Sequence, residues 1–149
     1  SQGAFMIGQF LRKSEHANLV SGAIFDSPLL DYRSTMQFHA KRAGLSARLG
    51  DRVIDAIEGS KAIKLLGYRN VAVDEISLAN KSLGVDIPIL IFYSSTDGHV
   101  ESFDVHLFAG HNRRVTLVEI QGAKHCRLYN HDQEKYQSAI RNWITETQI

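Results

Sequence analysis

The stretch IPILIFYSSTDGHV (87–100) opens with a nearly continuous apolar run and closes with turn-forming residues. A strand without polar alternation is covered on both faces, which is typical of a parallel sheet between helices. Two further runs have the same character: LVSGAIF (19–25), closed by DSP, and VTLVEI (115–120), closed by QGAKH. Together the three runs predict three parallel strands.

Helical patterns flank the predicted strands. The segment AFMIGQFLRK (4–13) is apolar on nearly every face up to its basic end, so we expect a largely buried helix there. ESFDVHLFAGH (101–111) and DQEKYQSAIRNWITET (132–147) predict two more helices. The order helix, strand, long insert, strand, helix, strand, helix is that of half of a doubly wound sheet, and the predicted fold class is α/β.

The insert between the first two strands, roughly 34–84, is too long for an ordinary loop. Its sequence predicts short amphipathic helices, and we interpret it as a helical lid. The predicted helix breaks are at Gly44, Gly50, Gly59 and Gly67. The predicted organisation is therefore a core formed by 1–33 and 85–149, with the lid at 34–84 between them.

Composition and charge exclude several classes of protein. With 149 residues, 44% of them hydrophobic, and a formal net charge of +1, the chain is typical of one globular domain and does not indicate nucleic-acid binding. No apolar run reaches the roughly 20 residues of a membrane span. The N-terminus lacks a signal-peptide pattern and the single Cys126 cannot form an internal disulfide, so we expect a cytoplasmic location.

Residues suited to acyl transfer stand where the predicted strands end. In an open parallel sheet, ligands bind beyond the carboxyl ends of the strands. Asp97 follows the second strand and His125 follows the third, while Ser1 precedes the first helix in a Ser-x-Gly pattern, part of the Gly-x-Ser-x-Gly nucleophile elbow. The chain order Ser, Asp, His is that of α/β-hydrolases.

The chemistry requires these residue types. A serine hydroxyl is a weak nucleophile, so an imidazole must take its proton, and a carboxylate must hold the imidazole and stabilise its cation. The tetrahedral oxyanion needs hydrogen-bond donors. We expect the backbone N–H of Gln2, the residue after the nucleophile, to be one donor, whereas the second would come from an early loop that this sequence does not contain.

From about residue 19 to the end, the chain resembles the C-terminal half of the lysophospholipase and monoglyceride-lipase branch of the α/β-hydrolases, which shades into the serine aminopeptidase-like hydrolases. The resemblance is carried by FDSPLLDY (25–32), by IPILIFYSSTDGHV (87–100) and by VEIQGAKHCRLYNHD (118–132) leading into AIRNWI (139–144). The elbow is similar too, since SQGAFMIGQFL (1–11) has the small-residue turn and apolar helix of that family. After the last strand, the family pattern matches Gly122, Ala123, His125 and Asp132.

The resemblance implies a serine esterase or lipase, with Ser1 as the nucleophile, Asp97 as the acid and His125 as the base. It implies a small-molecule acyl ester as substrate, such as a lysophospholipid or a monoglyceride, a helical lid over the acyl pocket, and no cofactor or metal. It also implies that the N-terminal half of the hydrolase fold is absent from this chain, so that half, as a second chain, is an expected partner.

Several alternatives stay open at this point. Asp26, after the first strand, is a rival acid. A thioesterase or peptidase of the same fold would use the same three residues, and an incomplete hydrolase-like fragment could serve as a binding module. An N-terminal-nucleophile enzyme, with the Ser1 amine as base, is disfavoured by the parallel-sheet pattern. Between Arg33 and Arg69, eight basic residues outnumber three acidic ones, which is consistent with a phosphate or carboxylate near the ester.

Overall fold

Three parallel strands form the sheet of the protein, as a computed structural model of residues 1–60 and 72–149 describes it. The strands are β1 (Ala23–Asp26), β2 (Ile89–Tyr93) and β3 (Val115–Glu119). Their order is β1-β2-β3, and both pairings are parallel, with Ala23 opposite Ile89 and Ile89 opposite Val115. The predicted α/β class, with a parallel sheet flanked by helices, is confirmed.

Helices precede, separate and follow the strands. The α-helices of the described residues are α1 (Gln2–Lys13), α2 (Tyr32–Arg42), α3 (Ala47–Glu58), α4 (Val73–Ile76), α5 (Ser102–His111), α6 (Leu128–His131) and α7 (Gln133–Thr147). The predicted helices at 4–13, 101–111 and 132–147 correspond to α1, α5 and α7. Within residues 1–60 and 72–149, none of the helices is both long enough and apolar enough to cross a bilayer.

The central strand β2 is covered on both faces. Leu90 and Phe92 belong to a buried cluster with Trp143 of α7. Ile91 points to the other face. Its partner in the β1 register is Phe25, whose ring lies against that of Phe108 of α5, with 6.1 Å between ring centroids. The continuous apolar run of β2 therefore indicated a double-sided core strand correctly.

The two outer strands are less covered than their sequences predicted. Ile24 in β1 is 38% exposed, and the residues of β3 are partly or fully exposed. The expectation of cover on both faces is wrong for these strands, because in the described part of the chain they form the edges of the sheet.

Helix α1 is buried on one side only. Phe5 and Leu11 are buried, whereas Met6, Ile7 and Phe10 are exposed. The expectation of a helix buried on nearly every face is therefore wrong. In the described part of the chain, α1 packs against β1 and against the short 3-10 turn at Ala17–Leu19, which cover one side of the helix.

The chain divides into two compact units. The first combines Ser1–Leu30 with Leu78–Ile149 and contains the whole sheet; the second is Asp31–Ser77. The second unit falls within the insert predicted at 34–84, apart from its first three residues, and it contains α2, α3 and α4. Its role as a lid stays a prediction.

Inside the second unit, α2 and α3 pack closely. Gly50 lies within α3, and a Cβ atom there would come within 2.6 Å of the backbone nitrogen of Gln37. The predicted helix break at Gly50 is therefore wrong: the glycine permits helix–helix contact instead of ending a helix. Gly44 and Gly59 do follow the ends of α2 and α3, and the predicted break at Gly67 lies outside the described residues.

Arg33 of α2 joins the helices of the second unit. Its guanidinium donates hydrogen bonds to Asp74 at 2.8 Å, to Asp55 at 3.3 Å and to Asp51 at 3.5 Å. The bond to Asp74 is the main reason that the pKa of Arg33 is raised above its usual value. One of the basic residues that the sequence suggested for anion binding is thus engaged within the unit itself.

Candidate active site

Asp97 is buried in the turn that follows β2. Its Oδ1 accepts hydrogen bonds from the backbone N–H groups of His99 at 2.7 Å and Val100 at 3.2 Å. The Asp97 side chain is only 2% exposed. Two fixed donors on one carboxylate oxygen orient the group, so that the second oxygen, Oδ2, is aimed at a single partner.

That partner is His125, in the loop that follows β3. His125 Nδ1 lies 2.8 Å from Asp97 Oδ2. Because a carboxylate can only accept, we assign the proton of this bond to Nδ1, which leaves Nε2 of the neutral ring as an acceptor. The His125 side chain is 19% exposed, so the ring is packed but accessible. An imidazole held in this tautomer is suited to take a proton from a nucleophile.

Ser1 lies at the N-terminal end of α1, near the same loop. Its nitrogen donates a hydrogen bond to the Asp26 carbonyl at 2.9 Å and is 3.8 Å from Cys126 Sγ. Within the described chain, the Ser1 hydroxyl neither caps α1 nor makes a hydrogen bond to the His125 ring. The structure thus brings Asp97 and His125 into direct contact and places Ser1 beside the residue that follows His125.

Gln2 is the first residue of α1. The N–H groups of a helix's first turn point towards its N-terminal end, where the helix dipole favours negative charge. The predicted oxyanion donor therefore belongs to a part of the chain where an anion is electrostatically favoured.

Asp26, the rival acid, has other partners. Its Oδ1 accepts a hydrogen bond from Ser27 Oγ at 3.0 Å, and its Oδ2 accepts one from Tyr136 OH at 3.0 Å. Burial, together with the negative charge of Asp26 and this hydrogen bond, raises the pKa of Tyr136. The carboxylate that contacts His125 is that of Asp97, and Asp26 instead belongs to a separate polar group.

Sequence analysis missed two features of this site. The ring of His99, which carried no predicted role, lies 4.9 Å from the ring of His125. Ser27 and Cys126 both have positive φ angles, 43° and 52°. Ser27 and Cys126 are 99 positions apart in the sequence and are joined by a hydrogen bond. In the sequence, this contact was indicated only by the places of the two residues after β1 and after β3.

A parallel sheet with an acidic residue after one strand and a histidine after the next is the arrangement of the α/β-hydrolase fold, and the solved structures similar to this chain have that fold. The esterase Pf2001 of Pyrococcus furiosus matches 99% of this chain with a TM-score of 0.60 and 18% identity. The esterase RhEst1 of a Rhodococcus species matches 97% with a TM-score of 0.60 and 19% identity. A thermophilic esterase of Thermogutta terrifontis matches 99% with a TM-score of 0.56 and 15% identity.

These likenesses establish the fold and go no further. The chain spans about half the length of the Pyrococcus esterase, 51%, and 62% and 63% of the other two. It matches no protein-family model and no curated protein sequence. The roles of Ser1, Asp97, His125 and Gln2 stay predictions.

Proposed function

We propose that the chain carries the catalytic triad of a serine esterase, with Ser1 as nucleophile, His125 as general base and Asp97 as the acid. The observation that carries the proposal is the 2.8 Å contact between His125 Nδ1 and the buried Asp97 carboxylate. A carboxylate held by two backbone donors and aimed at an accessible imidazole has the geometry of an orienting acid. The esterase activity of the three similar structures agrees with this assignment.

In the acylation step, Ser1 Oγ attacks the ester carbonyl carbon while its proton passes to His125 Nε2. Asp97 stabilises the imidazolium that results. The tetrahedral intermediate then expels the alcohol: the ester C–O bond breaks, and the proton on His125 is transferred to the leaving oxygen. The acyl group remains bonded to Ser1.

In the deacylation step, a water molecule attacks the acyl carbon and gives its proton to His125. The bond between the acyl carbon and Ser1 Oγ then breaks, Oγ recovers a proton from the imidazolium, and the carboxylic acid is released. In both steps the Gln2 N–H would stabilise the oxyanion, helped by the dipole of α1.

We further propose that the substrate carries an acyl chain, as a monoglyceride or a lysophospholipid does. In the second unit, α3 and the turn before it expose an apolar stripe at four-residue spacing. Its members are Leu45 at 51%, Leu49 at 40%, Val53 at 42% and Ile57 at 49% exposure. An exposed apolar stripe of this kind is suited to contact with hydrocarbon. The resemblance of the sequence to the lysophospholipase and monoglyceride-lipase branch points to the same substrates.

The proposal is tested by replacing the base. His125→Ala should lower the turnover of a short-chain p-nitrophenyl ester by several orders of magnitude, because the members of a triad act as a unit. The matched control is His111→Ala, since His111 is exposed at the end of α5 and its ring bonds to the Leu107 carbonyl of its own helix. His111 precedes β3, whereas Asp97 and His125 lie in the loops that follow β2 and β3. The control should keep the rate of the unaltered chain.

Near-normal turnover in His125→Ala would contradict the assignment. If the unaltered chain hydrolyses no ester but binds monoacylglycerol or lysophospholipid, it is a binding module of hydrolase-like fold. Comparing monoglyceride, lysophospholipid, thioester and aminoacyl-amide substrates then separates the esterase from a thioesterase or a peptidase.

A further inference from the structure

A chain of polar contacts runs from α7 to the loop that holds His125. Tyr136 OH donates a hydrogen bond to Asp26 Oδ2 at 3.0 Å, and Ser27 Oγ donates one to Asp26 Oδ1 at 3.0 Å. The Tyr136 ring stacks on Phe92 of β2 with 3.7 Å between centroids. Asp26 is therefore held between the sheet and α7, and its two oxygens have separate partners.

The Ser27 hydroxyl passes this constraint to the histidine loop. Because its proton is donated to Asp26, its lone pairs are available, and it accepts a hydrogen bond from the Cys126 N–H at 3.1 Å. Ser27 itself is 1% exposed, and its own N–H donates to the Phe92 carbonyl at 3.0 Å. A buried hydroxyl with fixed partners thus holds, by a hydrogen bond, the peptide group that joins His125 to Cys126.

This hydrogen bond matters because the backbone is strained at both Ser27 and Cys126. Ser27 and Cys126 have φ angles of 43° and 52°, in the left-handed region that residues with a side chain adopt only at an energetic cost. Such a conformation persists where neighbouring contacts hold it. Without the bond from Cys126 N–H to Ser27, the loop would be expected to relax, and the His125 ring would move with it.

Asp26 is also linked to the nucleophile. Its carbonyl accepts the hydrogen bond of the Ser1 nitrogen at 2.9 Å, while its side chain acts on the histidine loop through Ser27. Asp26, at the end of β1, therefore contacts Ser1 directly and is linked through Ser27 to the residue that follows His125.

We infer that Asp26 and Ser27 are positioning residues, which set the placement of His125 relative to Ser1 and Asp97 without touching the substrate. The inference rests on the proposed function for its catalytic meaning. Its structural content, that the His125–Asp97 contact depends on Ser27, is measurable whether or not the chain hydrolyses esters.

The test is Ser27→Ala in the full chain, with two readouts. The first is the low-field proton resonance of His125 Nδ1, assigned by its absence in His125→Ala. The second is the steady-state hydrolysis of a p-nitrophenyl ester. We expect the resonance to broaden or vanish, and kcat to fall roughly tenfold to a hundredfold at nearly constant KM, because a small misplacement of a catalytic group has a large effect on rate.

Two further variants separate positioning from general damage. Ser138→Ala is the matched control, because Ser138 is partly buried on α7 and its hydroxyl donates a hydrogen bond to the Lys135 carbonyl of the same helix; it should leave both readouts unchanged. Adding Cys126→Gly to Ser27→Ala should restore part of kcat and of the resonance, because glycine adopts a positive φ without the steric cost. A loss of overall stability alone would not be reversed in this way.

A sharp resonance and normal kcat in Ser27→Ala would overturn the inference. If Ser27→Ala does not fold, Tyr136→Phe takes its place, since it removes one anchor of Asp26; an unchanged resonance in that variant would also overturn it. If the unaltered chain shows the resonance but no hydrolysis, and the resonance depends on Ser27, the positioning role stands and the proposed function fails.

Discussion

Two aspartates, at the end of β1 and just after β2, have different environments. Asp97 has one oxygen on backbone N–H groups and the other on His125, whereas Asp26 has its oxygens on Ser27 and Tyr136. The acid of a triad must fix the tautomer of the histidine. Contact with the imidazole, and not the mere presence of a carboxylate near a strand end, therefore distinguishes the two residues.

Asp97→Asn should lower kcat by about four orders of magnitude, because an amide at this place favours the wrong histidine tautomer. Ester hydrolysis under saturating substrate measures the effect. Asp86→Asn is the matched control, since Asp86 lies exposed before β2 and its backbone carbonyl, which the substitution does not change, accepts a hydrogen bond from Arg114. If kcat fell less than about tenfold in Asp97→Asn but by about four orders of magnitude in Asp26→Asn, the roles of the two carboxylates would be reversed.

Tyr136 makes stability depend on alkaline pH. Burial, and next the charge of Asp26, raise its pKa in the folded state above the ordinary value of 10.0, so folding favours the protonated phenol. This contribution is fully present below pH 10 and is lost as the pH rises through the folded-state value. Tyr93, whose pKa is raised mainly by burial, acts in the same direction.

We therefore expect the free energy of unfolding to decline as the pH rises above about 10, and to decline less steeply in Tyr136→Phe. Urea unfolding at several pH values measures this. Tyr129→Phe, which alters a more exposed tyrosine, should keep the slope of the unaltered chain. Equal slopes in Tyr136→Phe and in the unaltered chain would show that Tyr136 is not buried against Asp26 as described.

At the scale of elements, the contact between α2 and α3 depends on a single missing side chain. A Cβ atom at Gly50 would meet the backbone of Met36 and Gln37, which cannot move without shifting α2. In contrast, a Cβ atom at Gly110 of α5 would meet nothing within 4 Å. The same substitution should have opposite effects at the two positions.

Gly50→Ala should destabilise the protein by about 1–3 kcal/mol through overpacking, although alanine is the better helix former. Gly110→Ala should instead stabilise it by at most about 1 kcal/mol, through helix propensity alone. Thermal unfolding of both variants measures the difference. A stabilised Gly50→Ala would mean that α2 and α3 are not in backbone contact.

Elements with a long apolar run or a helical apolar spacing could be predicted from the sequence, and others could not. The strand β2 was evident from its continuous apolar run, and the long helix α7 from the spacing of Tyr136, Ile140 and Trp143, which belong to or pack against the buried cluster beside β2. The short helix α6, at Leu128–His131, was missed because four residues carry no periodic signal. Gly50 was misread because a glycine that permits close packing and a glycine that ends a helix look alike in sequence.

At the scale of the whole molecule, the positions of the strand ends in the sequence predicted which side chains would lie close together. Asp97 and His125 are 28 positions apart, and the rule that parallel strands share a carboxyl edge placed them together. The contacts of Ser27 with Cys126 and of Asp26 with Tyr136 join residues 99 and 110 positions apart, and they depend on loop conformations that no local pattern encodes.

The most direct test of the central claim is the reaction of the full chain with a fluorophosphonate probe, read by intact mass and by peptide mapping. Because the probe bonds to a serine activated by its histidine, we predict one adduct per chain, located on Ser1 and absent from His125→Ala. The control variant His111→Ala should be labelled like the unaltered chain. An unlabelled chain, or an adduct on a serine other than Ser1, would contradict the assignment of Ser1 as the nucleophile.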